Sequence, residues 1–305
     1  MKEKFTEQEL DLRELYNILW KGKWLIVLFT TLFTICAVFY AISQPNIYRA
    51  DALLAPNSQS QTGSGINSVV NQLGGLASLA GIKSSGNSTD KVAYALEILK
   101  SREFVYDFIK NHELKAILLA TAGWDKNKNE LIYNKELYDS ATKSWSVSDA
   151  GISNEPSMQK AYDYFINSSI TIFRNEDNGF VEVSFSHFSP YLTKSLLDSL
   201  ILSLNKKIKQ QDLTEATKSL SYFKSELNET NVTGLKNMFY QLIEEQYRTI
   251  MLTKVRPDYV FKVVDRAVIP EEKSEPKRAL ISIFGFLAGL VFSFMFVLIN
   301  ALNQK

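Results

Sequence analysis

Two stretches of this chain carry no charge at all, and they lie at opposite ends. "WLIVLFTTLFTICAVFYAI" runs from Trp24 to Ile42, and "ALISIFGFLAGLVFSFMFVLINAL" from Ala279 to Leu302. A helix needs roughly 20 mostly apolar residues to cross the hydrocarbon core of a bilayer. Buried helices of soluble proteins seldom run so far without one charged residue. Both blocks are therefore read as membrane spans, over 24–43 and 279–302. A cleaved signal peptide is the alternative for the first, and Ala41-x-Ser43 offers small residues near its end. A signal's apolar region is shorter, about 7–15 residues, and follows a basic segment. Here Glu3, Glu7, Glu9, Asp11 and Glu14 are mixed with the leading bases, so the anchor reading is kept.

With two spans, the intervening residues share one side of the membrane and both termini share the other. Lys2, Lys4, Arg13, Lys21 and Lys23 precede the first span. Basic residues favour the cytoplasm and nearby acids count for little, so residues 1–23 are expected inside and 44–278 outside. Lys277 and Arg278 abut the second span on the outer side and oppose this orientation. Only Lys305 follows that span. The first span usually dominates.

The middle reads as an alternation of helices and strands. "IYRADALLAP", Ile47 to Pro56, has strand character. A Ser/Gly/Gln/Asn-rich loop follows, with an apolar island from Leu73 to Ile82. Helical spacing of Val92, Leu96, Leu99, Phe104, Phe108 and Ile109 predicts a helix over Asp90–Asn111, with Ser88 or Thr89 as cap. Short helices and loops are expected from about Leu114 to Ser153, then a helix over Met158–Ile166. In "SITIFRNEDNGFVEVSFSH" two alternating runs flank turn residues, which predicts a hairpin. Ser189-Pro190 then offers an N-cap and a proline at the first helical position.

No Pro or Gly interrupts Tyr191 to Glu229. That helix, about 190–229, would be on the order of 55–60 Å long. Leu196, Leu200, Leu204 and Ile208 lie on its apolar face. A small domain cannot cover such a length, so this face is expected to be buried partly between protomers. The helix breaks at "NETNVTG" and returns over about 235–254. "VRPDYVFKVVDRAVIP" closes the domain as a strand, and pairing it with the first strand would join the feet of the two spans. The fold class is α+β: two spans flank an α/β base that carries a long helical hairpin.

Signals of catalysis are weak. The formal net charge of +1 leaves no nucleic-acid footprint. His112 and His187 are far apart and no metal-ligand spacing surrounds them. The one cysteine, Cys36, falls inside the first span. No phosphate-binding glycine loop and no G-x-S-x-G occurs. Carboxylate pairs such as Glu271-Glu272 read as solvated charge. No cofactor is expected. Asn87, Asn167, Asn228 and Asn231 begin glycosylation sequons, which carry meaning only in a eukaryotic protein.

The segment "IPEEKSEPKRALISIFGFLAG" joins the last strand to the second span. Pro270 and Pro276 stiffen it. Lys277 and Arg278 fall at headgroup height, where long basic side chains snorkel. Gly285 and Gly289 are four apart and permit close helix approach in lipid.

With "DLRELYNILWKGKWLIVL", "QPNIYRADALLAP", "LGGLASLAGI" and "AVIPEEKSEPKRALISIFGFLAGL", the chain resembles the Wzz family of polysaccharide co-polymerases. These are the chain-length determinants of bacterial surface polysaccharides. The family often carries proline where Lys273 stands and serine where Glu275 stands. The resemblance implies a bacterial inner-membrane protein without enzymatic activity. Residues 1–23 would be cytoplasmic, 44–278 periplasmic and 303–305 a cytoplasmic tail. It implies a homo-oligomer that sets the modal length of lipopolysaccharide O-antigen. The implied partners are a Wzy-type polymerase and lipid-linked polysaccharide. Some relatives carry or pair with a tyrosine kinase. This chain has three residues after the second span and no nucleotide loop, so the resemblance is to the kinase-free, O-antigen type. A capsule or exopolysaccharide export adaptor of the same superfamily is the other reading.

Overall fold

A computed structural model of the protein describes residues 20, 22–57, 88–147 and 153–303. The acid- and base-rich N-terminal stretch, the loop containing "LGGLASLAGI", and Asn87 lie outside the described residues. In chain order the first elements are α1 (Lys23–Ser43), β1 (Tyr48–Pro56), α2 (Ser88–Lys100), α3 (Arg102–Asn111) and α4 (Leu114–Leu119). Two small hairpins follow, β2 (Thr121–Asp125) with β3 (Glu130–Tyr133), and β4 (Tyr138–Asp139) with β5 (Ser144–Trp145). Then come α5 (Met158–Tyr164), a π-helical turn (Phe165–Ser169), β6 (Ile170–Arg174) and β7 (Val181–His187). The chain ends with α6 (Pro190–Glu229), α7 (Thr233–Val255), β8 (Phe261–Asp265) and α8 (Arg278–Asn303). The fold is α+β, with apolar helices near both ends and a long helical hairpin, α6 with α7.

The chain divides into two compact units, one of Met1–Ile47 with Lys273–Lys305, the other of Tyr48–Glu272. In the larger unit a four-stranded sheet runs in the order β6-β7-β1-β8. Every neighbouring pair is antiparallel. The first and last strands do pair, Leu53 with Asp265 and Pro56 with Phe261, across a register shift between Leu53 and Leu54. Ala50, Ala52 and Leu54 of β1 are buried, as are Val181, Val183 and Phe185 of β7. These side chains alternate along each strand and so share one face. Onto the core they form pack Leu99 of α2, Phe104 and Phe108 of α3, and Leu197, Leu200 and Leu204 of α6. Each such leucine contributes about 1.5–3 kcal/mol by leaving water.

α6 begins where the sequence places it. Ser189 has extended backbone and its Oγ accepts from the Leu192 N–H at 3.4 Å, with Pro190 as the first helical residue. Its two halves differ. Up to Ile208 the inward positions are buried, whereas beyond it only Ala216 and Leu220 are. Asn205 fastens the inner half to the sheet. Its Oδ1 accepts from the Val260 and Phe261 N–H groups at 2.9 and 3.0 Å, and its Nδ2 donates to the Phe261 carbonyl at 3.0 Å. The amide thus extends the backbone pairing of the sheet into a helix side chain.

Three sequence expectations are corrected. The helix over Asp90–Asn111 is two helices. Ser101 breaks it by adopting extended backbone and accepting from the Phe104 N–H, which caps a new helix. The stretch from Leu114 holds one short helix and two hairpins, not short helices and loops. The helix from Met158 gives way at Phe165 to a π-helical turn that leads into β6.

Both small hairpins follow one pattern. An aromatic-Asp pair, Trp124-Asp125 or Tyr138-Asp139, precedes four turn residues. The last of these, Asn129 or Lys143, has left-handed backbone with φ of 54° or 51°. In each, the aspartate Oδ1 accepts from the N–H two residues on, at 2.8 Å from Asn127 and 2.9 Å from Ala141. The Thr142 hydroxyl also donates to Asp139 at 2.8 Å, and these bonds hold the Asp139 carboxyl below the usual carboxylate range.

Candidate functional site

The smaller unit is an antiparallel helix pair. Gly22 meets Val297 at one end, and at the other Arg278 reaches the Ala41 carbonyl. Gly285 and Gly289 both face α1. A methyl group at Gly289 would stand 2.8 Å from the Phe33 Cβ and 3.1 Å from the Thr30 Cα. One at Gly285 would overlap the Ala37 Cβ. The two backbones therefore approach this closely only because these side chains are absent. Around the glycines, Phe29 packs on Phe292 and Phe296 with ring centroids 6.2 and 5.2 Å apart, and Phe33 on Phe292 at 5.4 Å. Thr30 and Thr34 return their hydroxyls to carbonyls four residues back, each at 2.7 Å, so they bring no unpaired donor into the apolar pair. The sequence pointed to the two glycines. It did not reveal Thr30, Phe33 and Ala37 as their partners, because nothing in α1 alone marks which side faces α8.

The segment before α8 is held by Ile47, four residues after the end of α1. The Ile47 N–H donates to the Glu275 carbonyl at 2.9 Å, and the Ile47 carbonyl accepts from Ser274 and Glu275. Arg278 Nε donates to the Ala41 carbonyl at 3.1 Å, and its second nitrogen to Asn46 Oδ1 at 3.1 Å. It thereby satisfies a carbonyl in the last turn of α1, where backbone acceptors lack partners and the helix dipole favours a cation. Lys277 is exposed and Pro276 half-buried beside it. They line an open concavity of about 500 Å³ with Lys273 and Leu280. Pro270 belongs to the other unit, in the irregular stretch after β8.

In the larger unit Leu196, Leu200, Leu204 and Ile208 are 5, 0, 2 and 1% exposed within one protomer. The chain's own sheet and helices cover that face, which leaves no surface there for a neighbour. The exposed apolar residues of the hairpin lie elsewhere, among them Leu202, Tyr222, Tyr240, Met251 and Val255.

Polar chemistry gathers along the outer side of α6. Lys207 bridges to Glu103 at 2.6 Å and lies 3.8 Å from Asp107. That hydrogen bond lowers the Glu103 carboxyl and raises the Lys207 ammonium from their ordinary values. An open groove of about 680 Å³ continues past Gln210, Thr214 and Lys218. Gln211 lines it with a buried Oε1 that has no donor among the described residues. Asp212 accepts from the Tyr259 hydroxyl at 2.6 Å and pairs with Lys91 at 3.0 Å, and burial and the carboxylate raise the Tyr259 hydroxyl.

The histidines stay apart. His112 rests on the Phe108 ring, with centroids 4.6 Å apart. His187 is buried at the foot of α6, where Nδ1 accepts from the Ser189 N–H at 3.3 Å and Nε2 lies 3.2 Å from the Ile117 carbonyl. An accepting Nδ1 leaves the proton on Nε2, so the ring is neutral. Burial pushes its pKa down. Among the described residues no three of His, Cys, Asp and Glu come together as a metal site.

Residues 8–112 match the family model Wzz, "Chain length determinant protein", and residues 236–302 match GNVR, "G-rich domain on putative tyrosine kinase". No curated protein matches the chain. Among solved structures, a full-length bacterial polysaccharide co-polymerase is 15% identical. That match covers 97% of this chain and 99% of the other, with a TM-score of 0.41. A fragment of WzzB, a polysaccharide co-polymerase from Salmonella Typhimurium, is 13% identical, covering 75% of this chain and 100% of that one, with a TM-score of 0.32. The two sequence matches include both apolar helices, β1 and most of α7. Over residues 8–112 the chain is thus similar to the Wzz chain length determinant family.

Proposed function

We propose that this polysaccharide co-polymerase is a non-enzymatic regulator in the bacterial inner membrane. It sets the modal length of lipopolysaccharide O-antigen made by a Wzy-type polymerase. The observation that carries this reading is the Wzz match over residues 8–112, which contains α1 and the strand it leads into. In this reading α1 and α8 cross the membrane and Tyr48–Glu272 is periplasmic. The chain works as a homo-oligomer that engages lipid-linked polysaccharide. Pro270, Pro276, Lys277 and Arg278 mark the membrane-proximal connector. The α1–α8 pair, closed at Gly285 and Gly289, presents its outer surface to the polymerase.

The GNVR match favours a second reading, control of capsule or exopolysaccharide export, because that domain is one found on putative tyrosine kinases. One experiment serves both. A deletion strain should keep making polymer, with its lengths scattered on a gel. Scatter in lipid A-linked material supports the first reading, and scatter in capsule the second. A strain with normal precursor supply and no polymer of either kind overturns the regulator reading.

A further inference from the structure

The tandem hairpins are the least self-sufficient part of the larger unit. No residue from Thr121 to Val147 is buried. A two-stranded hairpin is marginal in water unless a further element covers it. Yet this segment carries large aromatics, whose ring contacts form two separate groups. The Tyr48 ring meets Trp124 at 5.7 Å, and Trp124 meets Tyr191 at 6.2 Å. Tyr138 meets Tyr133 at 5.3 Å and Trp145 at 5.2 Å. Ile132, Leu137 and Val147 stand exposed beside them. The turns and the link between them carry Lys126, Lys128, Lys135 and Lys143, all exposed and none in an ion pair among the described residues. Glu130 and Glu136 share this surface, while Asp125 and Asp139 are committed to the turns.

Composition and tether name the covering partner. Trp and Tyr concentrate at the membrane–water interface, where one edge of the ring is apolar and the other wet. Lysine stems lie along the apolar layer while their ammonium groups reach headgroup phosphate. Tyr48, whose ring touches Trp124, stands five positions after Ser43, the last residue of α1. An extended chain covers about 3.3–3.6 Å per residue, so Tyr48 lies within roughly 18 Å of the end of that helix.

We propose that the two hairpins, Thr121–Tyr133 and Tyr138–Trp145, form an interfacial anchor. Their aromatic rings and lysines rest in the headgroup layer of the bilayer that α1 enters. This rests on the reading that α1 and α8 span a membrane, and the test separates the two.

The chain has four tryptophans, Trp20, Trp24, Trp124 and Trp145. Three full-length variants, each retaining only Trp24, Trp124 or Trp145 with phenylalanine at the other positions, are placed in lipid nanodiscs. The lipids are brominated either near the headgroup end of the acyl chains or near the bilayer centre. Trp145 should lose emission with the first lipid and keep it with the second. Trp124, whose ring packs against both Tyr48 and Tyr191, should show the same pattern to a smaller degree. It guards against a Trp145-only chain whose first hairpin fails to form. Trp24 serves as the span's own reporter and should be quenched. If Trp24 is quenched while Trp145 and Trp124 keep their emission with both lipids, the anchor is overturned and the spans stand. If Trp24 also escapes, the membrane reading falls with it. Shielding of Trp145 from aqueous acrylamide without quenching by either lipid overturns the anchor and gives that face to a second copy of the chain.

Discussion

The molecule builds two antiparallel helix pairs and holds them by opposite means. α1 and α8 meet where side chains are missing, at Gly285 and Gly289 against Ala37, Phe33 and Thr30. α6 and α7 meet where side chains are present but few. Along the outer half of α6 only Ala216 and Leu220 are buried, and Thr253 is the one buried residue of α7 among those described. The rest is lateral contact, such as Phe223 against Phe239 at 6.3 Å and Lys224 bonded to the Tyr247 hydroxyl at 2.8 Å. Between helices that span a membrane, as we propose α1 and α8 do, no hydrophobic force operates, so close approach decides the pairing. In water apolar burial decides it. The outer half of the α6–α7 hairpin has little of either, and such segments open most readily.

The largest effect should come from the inner half of α6. Leu200→Ala empties a fully enclosed site and should cost about 2–5 kcal/mol. Leu220→Ala, 9% exposed and thinly surrounded, should cost distinctly less. Urea unfolding of the full chain in detergent compares them, and equal costs would break the contrast within this helix.

The helix pair in the smaller unit should fail in a different way. Gly289→Leu leaves α8 apolar enough for lipid but drives a side chain into Thr30 and Phe33. In a Cys36→Ser background, cysteines replacing Phe29 and Phe296 should crosslink, since those rings lie 5.2 Å apart. Adding Gly289→Leu should abolish the crosslink at equal protein abundance in the membrane. Persistence of the crosslink would show that the glycines are dispensable for the pairing.

The smallest effect concerns the foot of α6. His187 is held neutral, and its folded pKa lies below the ordinary 6.5. The unfolded chain therefore takes up the proton first as pH falls. Stability is fully present above about pH 6.5 and declines as pH drops from there toward the folded pKa. Protonation would also remove the acceptor for the Ser189 N–H and set a cation at a helix N-terminus. The urea midpoint should fall between about pH 7.5 and 5.5, and His187→Gln should flatten that dependence. An unchanged slope in the variant would assign it to other groups.

Features that depend on one stretch of chain were legible in the sequence. The apolar helices, the β6–β7 hairpin and the α6 cap at Ser189 each follow from periodicity or turn chemistry within a short window. Ser101 was legible in principle, since a serine ahead of Arg-Glu-Phe is a cap signal, but helical spacing on both sides masked the break. The tandem hairpins have strands of two to five residues, too short for alternation to register. Their shared aromatic-Asp pattern with a left-handed fourth turn residue was the signal available. Asn205 gave none. A single asparagine in a long helix becomes informative only once Phe261 arrives beside it. The same holds for the site. The glycines could be named, but their partners in α1 could not. The apolar face of α6 was seen, but sequence spacing could not tell a core from an interface.

The position of β1 in its sheet sets an order of events for a chain made from its N-terminus. β1 is synthesised first among the strands, yet it is an inner strand, flanked by β7 and β8. Its partners come much later, and long-range pairings form slowly because a large loop must close first. The β6–β7 hairpin is local and can form alone. β1 then gains one neighbour from it, while its other edge stays open until Phe261–Asp265 has been made. An open strand edge invites pairing with another chain. Completion of the sheet, and with it the docking of Asn205, therefore waits for almost the last residues before α8. A protein truncated within α7 would keep most of its core residues and still present an unfinished sheet.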